Sequence, residues 1–165
     1  SVIEASNSGH VLSKMKNISV GWSRSRFGTG DYLLICDNDV CFLSGWAPRM
    51  TEAISTSGRI ILGGARHPFH QINKEWIGWD ETDAVAGTSQ MMPWKIWNFL
   101  RPLRGNAPGV CQSEDFEFCQ RARAEGWRCG YIHDPAILDC GITNSDGKPS
   151  PGADVKPRVE GVYYE

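Results

Sequence analysis

Five acids in this chain sit where acids can do chemistry. Asp37 and Asp39, with Asn38 between them, close the apolar run Tyr32-Leu33-Leu34-Ile35-Cys36; Glu114 and Asp115 are adjacent, and Asp139 ends another apolar stretch. Carboxylates at the carboxyl end of a buried strand fall where open α/β sheets keep their ligand crevice. Two of them held one residue apart offer hard oxygens to a divalent cation, or acceptors to a sugar hydroxyl. Each acid also has a plainer job. Asp37-Asn38-Asp39 can be a turn, Glu114 and Asp115 favour the positive end of a helix, and Asp139 can be a solvated loop acid. Taken alone, the plainer job suffices for the last three.

The elements that would position these acids follow from pattern. Tyr32–Cys36 is a short continuous apolar run and reads as a strand buried on both faces. Before it, Val11, Met15, Ile18 and Trp22 recur at helical spacing and predict an inward apolar stripe, with Lys14, Lys16 and Arg24 off it. A second helix is expected from Ser44 as N-cap to Ser57-Gly58, tolerating Pro48 near its first turn and burying Trp46, Met50, Ala53 and Ile54. Arg59–Gly64 is the next strand. From His67 to Gly87 the pattern weakens to a surface excursion or edge hairpin carrying Trp76 and Trp79. Pro93–Leu100 reads as a short helix with Pro at its first position. Ser113-Glu114-Asp115 opens another, with Phe116, Cys119 and Ala122 on one face and Gly126 closing it. A strand near Arg128–Ile132 follows, and after Asp139 the chain turns polar and rich in Gly and Pro. Trp22, Trp46 and Trp127 are core by pattern. Alternating strands and helices predict an α/β sheet.

The 165 residues suit one domain. With 41% hydrophobic and 22% charged residues the composition is that of an ordinary globular protein. A net charge of -2 leaves no basic excess for a nucleic-acid backbone, and no apolar stretch reaches the roughly 18–20 residues of a membrane span. The six cysteines form no C-x-x-C pair, which disfavours a zinc ribbon. Cys36 in a strand and Cys119 in a helix read as small buried thiols, and with them a cytoplasmic location is expected.

The order of these features resembles the inverting glycosyltransferases of family 2, which have the GT-A fold. The resemblance runs through Asn7-Ser8-Gly9, Lys16-Asn17, Gly30-Asp31-Tyr32, Asp37-Asn38-Asp39 and Ala86-Gly87-Thr88. It ends in Glu114-Asp115-Phe116-Glu117-Phe118-Cys119-Gln120-Arg121 with Gly126-Trp127. A lone D-x-D is weak; a D-N-D strand end followed far downstream by E-D-x-E-x-C-x-R is considerably more specific. The resemblance implies a Rossmann-related, mostly parallel sheet flanked by helices over 1–141, with an irregular tail at 142–165. It implies transfer of a sugar from a UDP- or GDP-sugar to a saccharide or other hydroxyl acceptor, with Mn²⁺ or Mg²⁺ stabilising the diphosphate leaving group.

By the same resemblance Asp39 ligates the cation with Asp37 and Asp139, and Asp37 with Asn38 lies near the donor ribose. Asp115 takes the acceptor proton, and Glu114 orients it. Arg121 could reach phosphate, although a solvated helix face explains it equally well. Trp76, Trp79 and Trp94, with Trp97, could stack on an acceptor sugar, core packing being the simpler use for at least two of the four. Two departures stand out. The chain opens at what looks like the third strand of such a domain, so it reads as N-terminally truncated, either a fragment or a protein whose site is completed by a second subunit in a possible homodimer. The Q-x-x-R-W signature of polymerising synthases is missing. The rival readings are a haloacid-dehalogenase-type phosphatase, a nucleotidyltransferase, and a non-catalytic carbohydrate- or nucleotide-binding remnant.

Overall fold

The run Tyr32–Cys36 does form a strand, β1, in which Leu33 and Ile35 are buried. The computed structural model describes residues 8–37, 40–66, 70–100, 103–104 and 114–139, with the backbone alone described for 8–12 and 139. Four helices fall among them: α1 (Ser8–Phe27), α2 (Trp46–Ser57), α3 (Trp94–Leu100) and α4 (Glu114–Ala124). The other strands are β2 (Val40–Phe42), β3 (Ile60–Gly63), β4 (Ile72–Trp76), β5 (Trp79–Thr82), β6 (Ser89–Pro93), β7 (Arg128–Ile132) and β8 (Ile137–Asp139). The expected tail at 142–165, the loop at 105–109, Asn38 and Asp39 lie outside the described residues.

Six strands make one mixed sheet in the order β1-β6-β3-β7-β5-β4. The expectation of a mostly parallel sheet is corrected by the pairing. Only β3 with β7 is parallel, while β1–β6, β3–β6, β5–β7 and β4–β5 are antiparallel. Two of these pairs come from β6, a strand that sequence pattern did not anticipate, which enters between β1 and β3 in the opposite direction, and two from the β4–β5 hairpin. Because β6 does so, β1, β3 and β7 still point the same way, and their carboxyl ends share one edge of the sheet. The weak region before Gly87 is an edge hairpin, β4 and β5 turning through Ile77-Gly78, with Gly78 at φ 84 as the left-handed residue that such a turn requires. Separately, β2 and β8 pair antiparallel, Val40 against Asp139.

Helices cover both faces of the sheet. One core joins Val20 of α1, the tryptophans and Ile96 of α3, and Phe118, Cys119 and Ala122 of α4 to Leu33, Ile35, Cys129 and Tyr131. The other packs Met50 and Ile54 of α2 on Ile60, Leu62, Trp79, Met91 and Ile132. Adjacent residues Tyr131 and Ile132 thus serve opposite faces, as the pleat requires. Helix α2 starts one residue later than expected, with Gly45 at φ 70 as its N-cap and no side-chain cap from Ser44; Gly58, at φ 80, ends it as predicted.

The largest departure is α1. Its predicted inward stripe faces solvent: Met15, Ile18 and Trp22 are 56%, 55% and 64% exposed, while Ser13, Lys16 and Val20 are buried. Trp127 is core as expected, and Trp46 is only partly buried. Cys36, Cys119 and Cys129 are free thiols, whereas Cys41 is disulfide-bonded, which the expectation of buried thiols did not foresee.

Candidate functional site

Lys16 explains the turn of α1. Its ammonium lies 3.1 Å from Asp37 Oδ1 and 3.3 Å from Glu114 Oε1, and donates to the Gly87 carbonyl at 3.1 Å. A lysine 8% exposed needs such partners, since an unpaired buried charge is very costly. Rotating Met15 and Ile18 inward would withdraw Lys16 from both carboxylates. Ion pairing outweighs the apolar stripe.

Three elements therefore converge. Asp37 leaves the carboxyl end of β1, Glu114 and Asp115 open α4, and the segment 86–88 precedes β6. Each residue of that segment is held by a different partner. The Ala86 amide donates to the Tyr131 hydroxyl at 2.6 Å, and the Gly87 amide donates to Asp115 Oδ2 at 2.6 Å. The Thr88 carbonyl accepts from the Asp37 amide at 3.0 Å. A Cβ on Gly87 would stand 2.8 Å from the Lys16 ammonium nitrogen and 3.5 Å from Asp115 Oδ2, so a larger residue here would displace the ammonium from its partners.

The two acids of α4 differ in environment. Glu114, its side chain 5% exposed, is spent on Lys16. Asp115 is only partly buried, and its Oδ1 accepts from the Phe116 amide at 2.8 Å. Each Asp115 oxygen thus takes one backbone N–H and keeps a second lone pair for an incoming hydroxyl. Helix capping alone does not call for the tether to Gly87, 28 residues away. Asp37, its side chain 34% exposed, is partly open to solvent beside Lys16. Burial, and then the charge of Asp37, push the Cys36 thiol up, away from the nucleophilic thiolate. The Tyr131 hydroxyl is pushed up far more, by burial, so it remains a neutral anchor for Ala86.

The remaining candidates divide clearly. Asp139 sits opposite Val40 in the β2–β8 pair, and Asp39 lies outside the described residues. Among the described residues no cluster of three His, Cys, Asp or Glu could hold a metal ion. Arg121 is turned away from the site: it grips Glu117 through Nε at 2.6 Å and Nη2 at 2.9 Å, and donates to the Leu100 carbonyl. It ties α4 to the end of α3.

The tryptophans do not form an acceptor platform beside Asp115. Trp94 and Trp97 are core on the Asp115 face of the sheet, and Trp79 is core on the other. Trp76 stacks on Trp79 at 5.5 Å and 6°, with Lys74 at 3.8 Å from its ring and Arg128 at 4.7 Å, so its π-surface is already used. His133 pairs with Asp80 at 2.7 Å, away from the site. Sequence reasoning missed Lys16 as the hub. The available signal was the Lys16-Asn17 pair on a helix rich in serine and without acids.

No helix among the described residues is long and apolar enough to cross a membrane. The chain matches no protein-family model, and no curated protein is similar enough in sequence to count as a relative.

Proposed function

We propose that this chain is a glycosyltransferase domain of the GT-A type, transferring a sugar from a nucleoside-diphosphate donor to an acceptor hydroxyl with inversion. One observation carries the reading: Asp37, Glu114 and Asp115, from elements far apart in sequence, meet around Lys16 and Gly87 at the carboxyl edge of the sheet. Their order and spacing are those of the resemblance in the sequence, and the ligand crevice of an α/β sheet lies at such an edge.

In this reading Asp115 accepts the proton of the acceptor hydroxyl as that oxygen attacks the anomeric carbon and the diphosphate leaves. The backbone amides of Gly87 and Phe116 hold its carboxylate in place for the transfer. Glu114, clamped by Lys16, fixes the first turn of α4 and with it the position of Asp115. The donor set suits a hard cation: Asp37 offers carboxylate oxygen, and the backbone register puts Asp139 next to the strand that follows Asp39. Mn²⁺ or Mg²⁺ there would neutralise charge on the leaving diphosphate.

The test is nucleotide release from a panel of UDP- and GDP-sugars with Mn²⁺, run on wild type and Asp115→Asn beside melting curves. The expected result is a loss of at least about 100-fold in Asp115→Asn, with the fold retained and the melting point only modestly lowered, because the Asn amide replaces one of the two carboxylate acceptors and not both. Full activity in Asp115→Asn would reassign that residue to holding Gly87. Mn²⁺-dependent UDP binding by a wild type that turns over none of the donors would favour the binding-remnant reading.

A further inference from the structure

Helix α1 is inside out. It buries Ser13 and Lys16 and presents Met15, Ile18 and Trp22 to solvent, with Phe27, 74% exposed, edge-on to Trp22 at 5.8 Å. At about 100° per residue those first three fall within an arc of roughly 60°, a continuous apolar stripe along the outer face. Lys14 borders the stripe on one side and Arg26 on the other, whereas Arg24 lies about 150° from its centre, on the far side of the helix. The sequence holds no Asp or Glu from Ser8 to Gly30, so every outward charge on this helix is positive. None of Lys14, Arg24 and Arg26 pairs with a carboxylate among the described residues.

We propose that this face of α1 lies on an anionic lipid surface. Met15, Ile18 and Trp22 enter the boundary between headgroups and acyl chains, while Lys14 and Arg26 sit among the phosphates. An apolar stripe containing Trp, flanked by cations and free of acids, is the chemistry of an interfacial helix. The helix has 20 residues but is not apolar enough to cross, so it lies on the bilayer. The charge pattern selects this occupant over a second copy of the chain. Two-fold pairing of this face would set Lys14 and Arg26 of one copy against those of the other, like charge against like. The inference stands apart from the proposed sugar transfer, since it uses the face of α1 opposite Lys16.

The experiment is co-sedimentation with vesicles of phosphatidylcholine alone and of phosphatidylcholine with one-third phosphatidylserine. The wild type should pellet with the phosphatidylserine vesicles, release as salt rises, and stay in solution with the neutral ones. Ile18→Ser with Trp22→Ser should weaken binding at least about tenfold, and Lys14→Gln with Arg26→Gln by about fivefold per cation removed. Both pairs lie on the exposed surface and should leave the melting point unchanged. If the apolar pair fails to fold, the cation pair carries the test alone. No binding to phosphatidylserine vesicles, or binding that neither pair weakens, overturns the proposal. So does a wild-type dimer in light scattering that Trp22→Ser dissociates, which would assign the face to a second copy.

Discussion

Replacing Lys16 by methionine keeps the length and volume of the side chain and deletes its ammonium. Glu114, 5% exposed, would then be a buried carboxylate with no counter-charge. Breaking a buried ion pair from one side costs about 3–5 kcal/mol. Asp37, 34% exposed, is screened by solvent, and its loss adds at most about 1 kcal/mol. At about 2–4 °C per kcal/mol for a domain of this size, the melting point of Lys16→Met should fall by about 10 °C. The decisive measurement is a double-mutant cycle in urea at neutral pH, read by tryptophan fluorescence. Glu114→Gln added to Lys16→Met removes the stranded charge and should restore at least about 1.5 kcal/mol, a coupling typical of contacting residues. If the two changes add within about 0.5 kcal/mol, Lys16 and Glu114 do not share an energetic contact and the hub described above is wrong.

Gly87→Ala should destabilise by about 1–3 kcal/mol in the same assay, because its methyl group displaces the Lys16 ammonium from a packed site; an unchanged midpoint would count against that packing. Gly130→Ala is expected to be more severe, with soluble expression lost, since its Cβ would run into the Asp80 carbonyl and stand 2.6 Å from the Trp79 ring across the β5–β7 pair. Tyr131→Phe leaves the Ala86 amide unpaired and should cost about 1–3 kcal/mol. The same residue gives a pH signature. Its folded-state ionisation lies above the unfolded value near 10, so its contribution is complete below about pH 10 and is lost as pH rises past it. Wild type should lose stability above about pH 10 more steeply than Tyr131→Phe, as followed by urea midpoints across that range.

Much of the scaffold was legible. The β1 run, the glycine that ends α2, the edge hairpin and the first turn of α4 all announce themselves through apolar runs, punctuation and acids. Strand direction was not legible, because it depends on how the chain returns between elements. The strand that reverses the sheet, Ser-Gln-Met-Met-Pro, has neither alternation nor β-branched residues. Its buried Gln90 is satisfied by the Val85 carbonyl at 2.8 Å, a contact that no pattern predicts. The rotation of α1 was misread for a related reason. Periodicity weighs Met15, Ile18 and Trp22 by hydrophobicity alone, whereas Lys16 answers to acids 21 and 98 residues further along. In the candidate site, acids at element ends were readable from type and spacing. The tryptophans and Arg121 were not, because burial and local pairing decide their use.

The way residues 86–88 are held has a consequence for when the site can exist during folding. Their partners lie on α1, β1, α4 and β7, separated from them in sequence by as many as 71 residues. Contacts of that span close large loops and come late relative to local helix formation. The cluster around Gly87 should therefore assemble late in folding, after the elements that supply its partners. Its amides should exchange with solvent only through the largest opening reactions, among the slowest in the molecule, and any ligand bound there would slow exchange across all four elements at once.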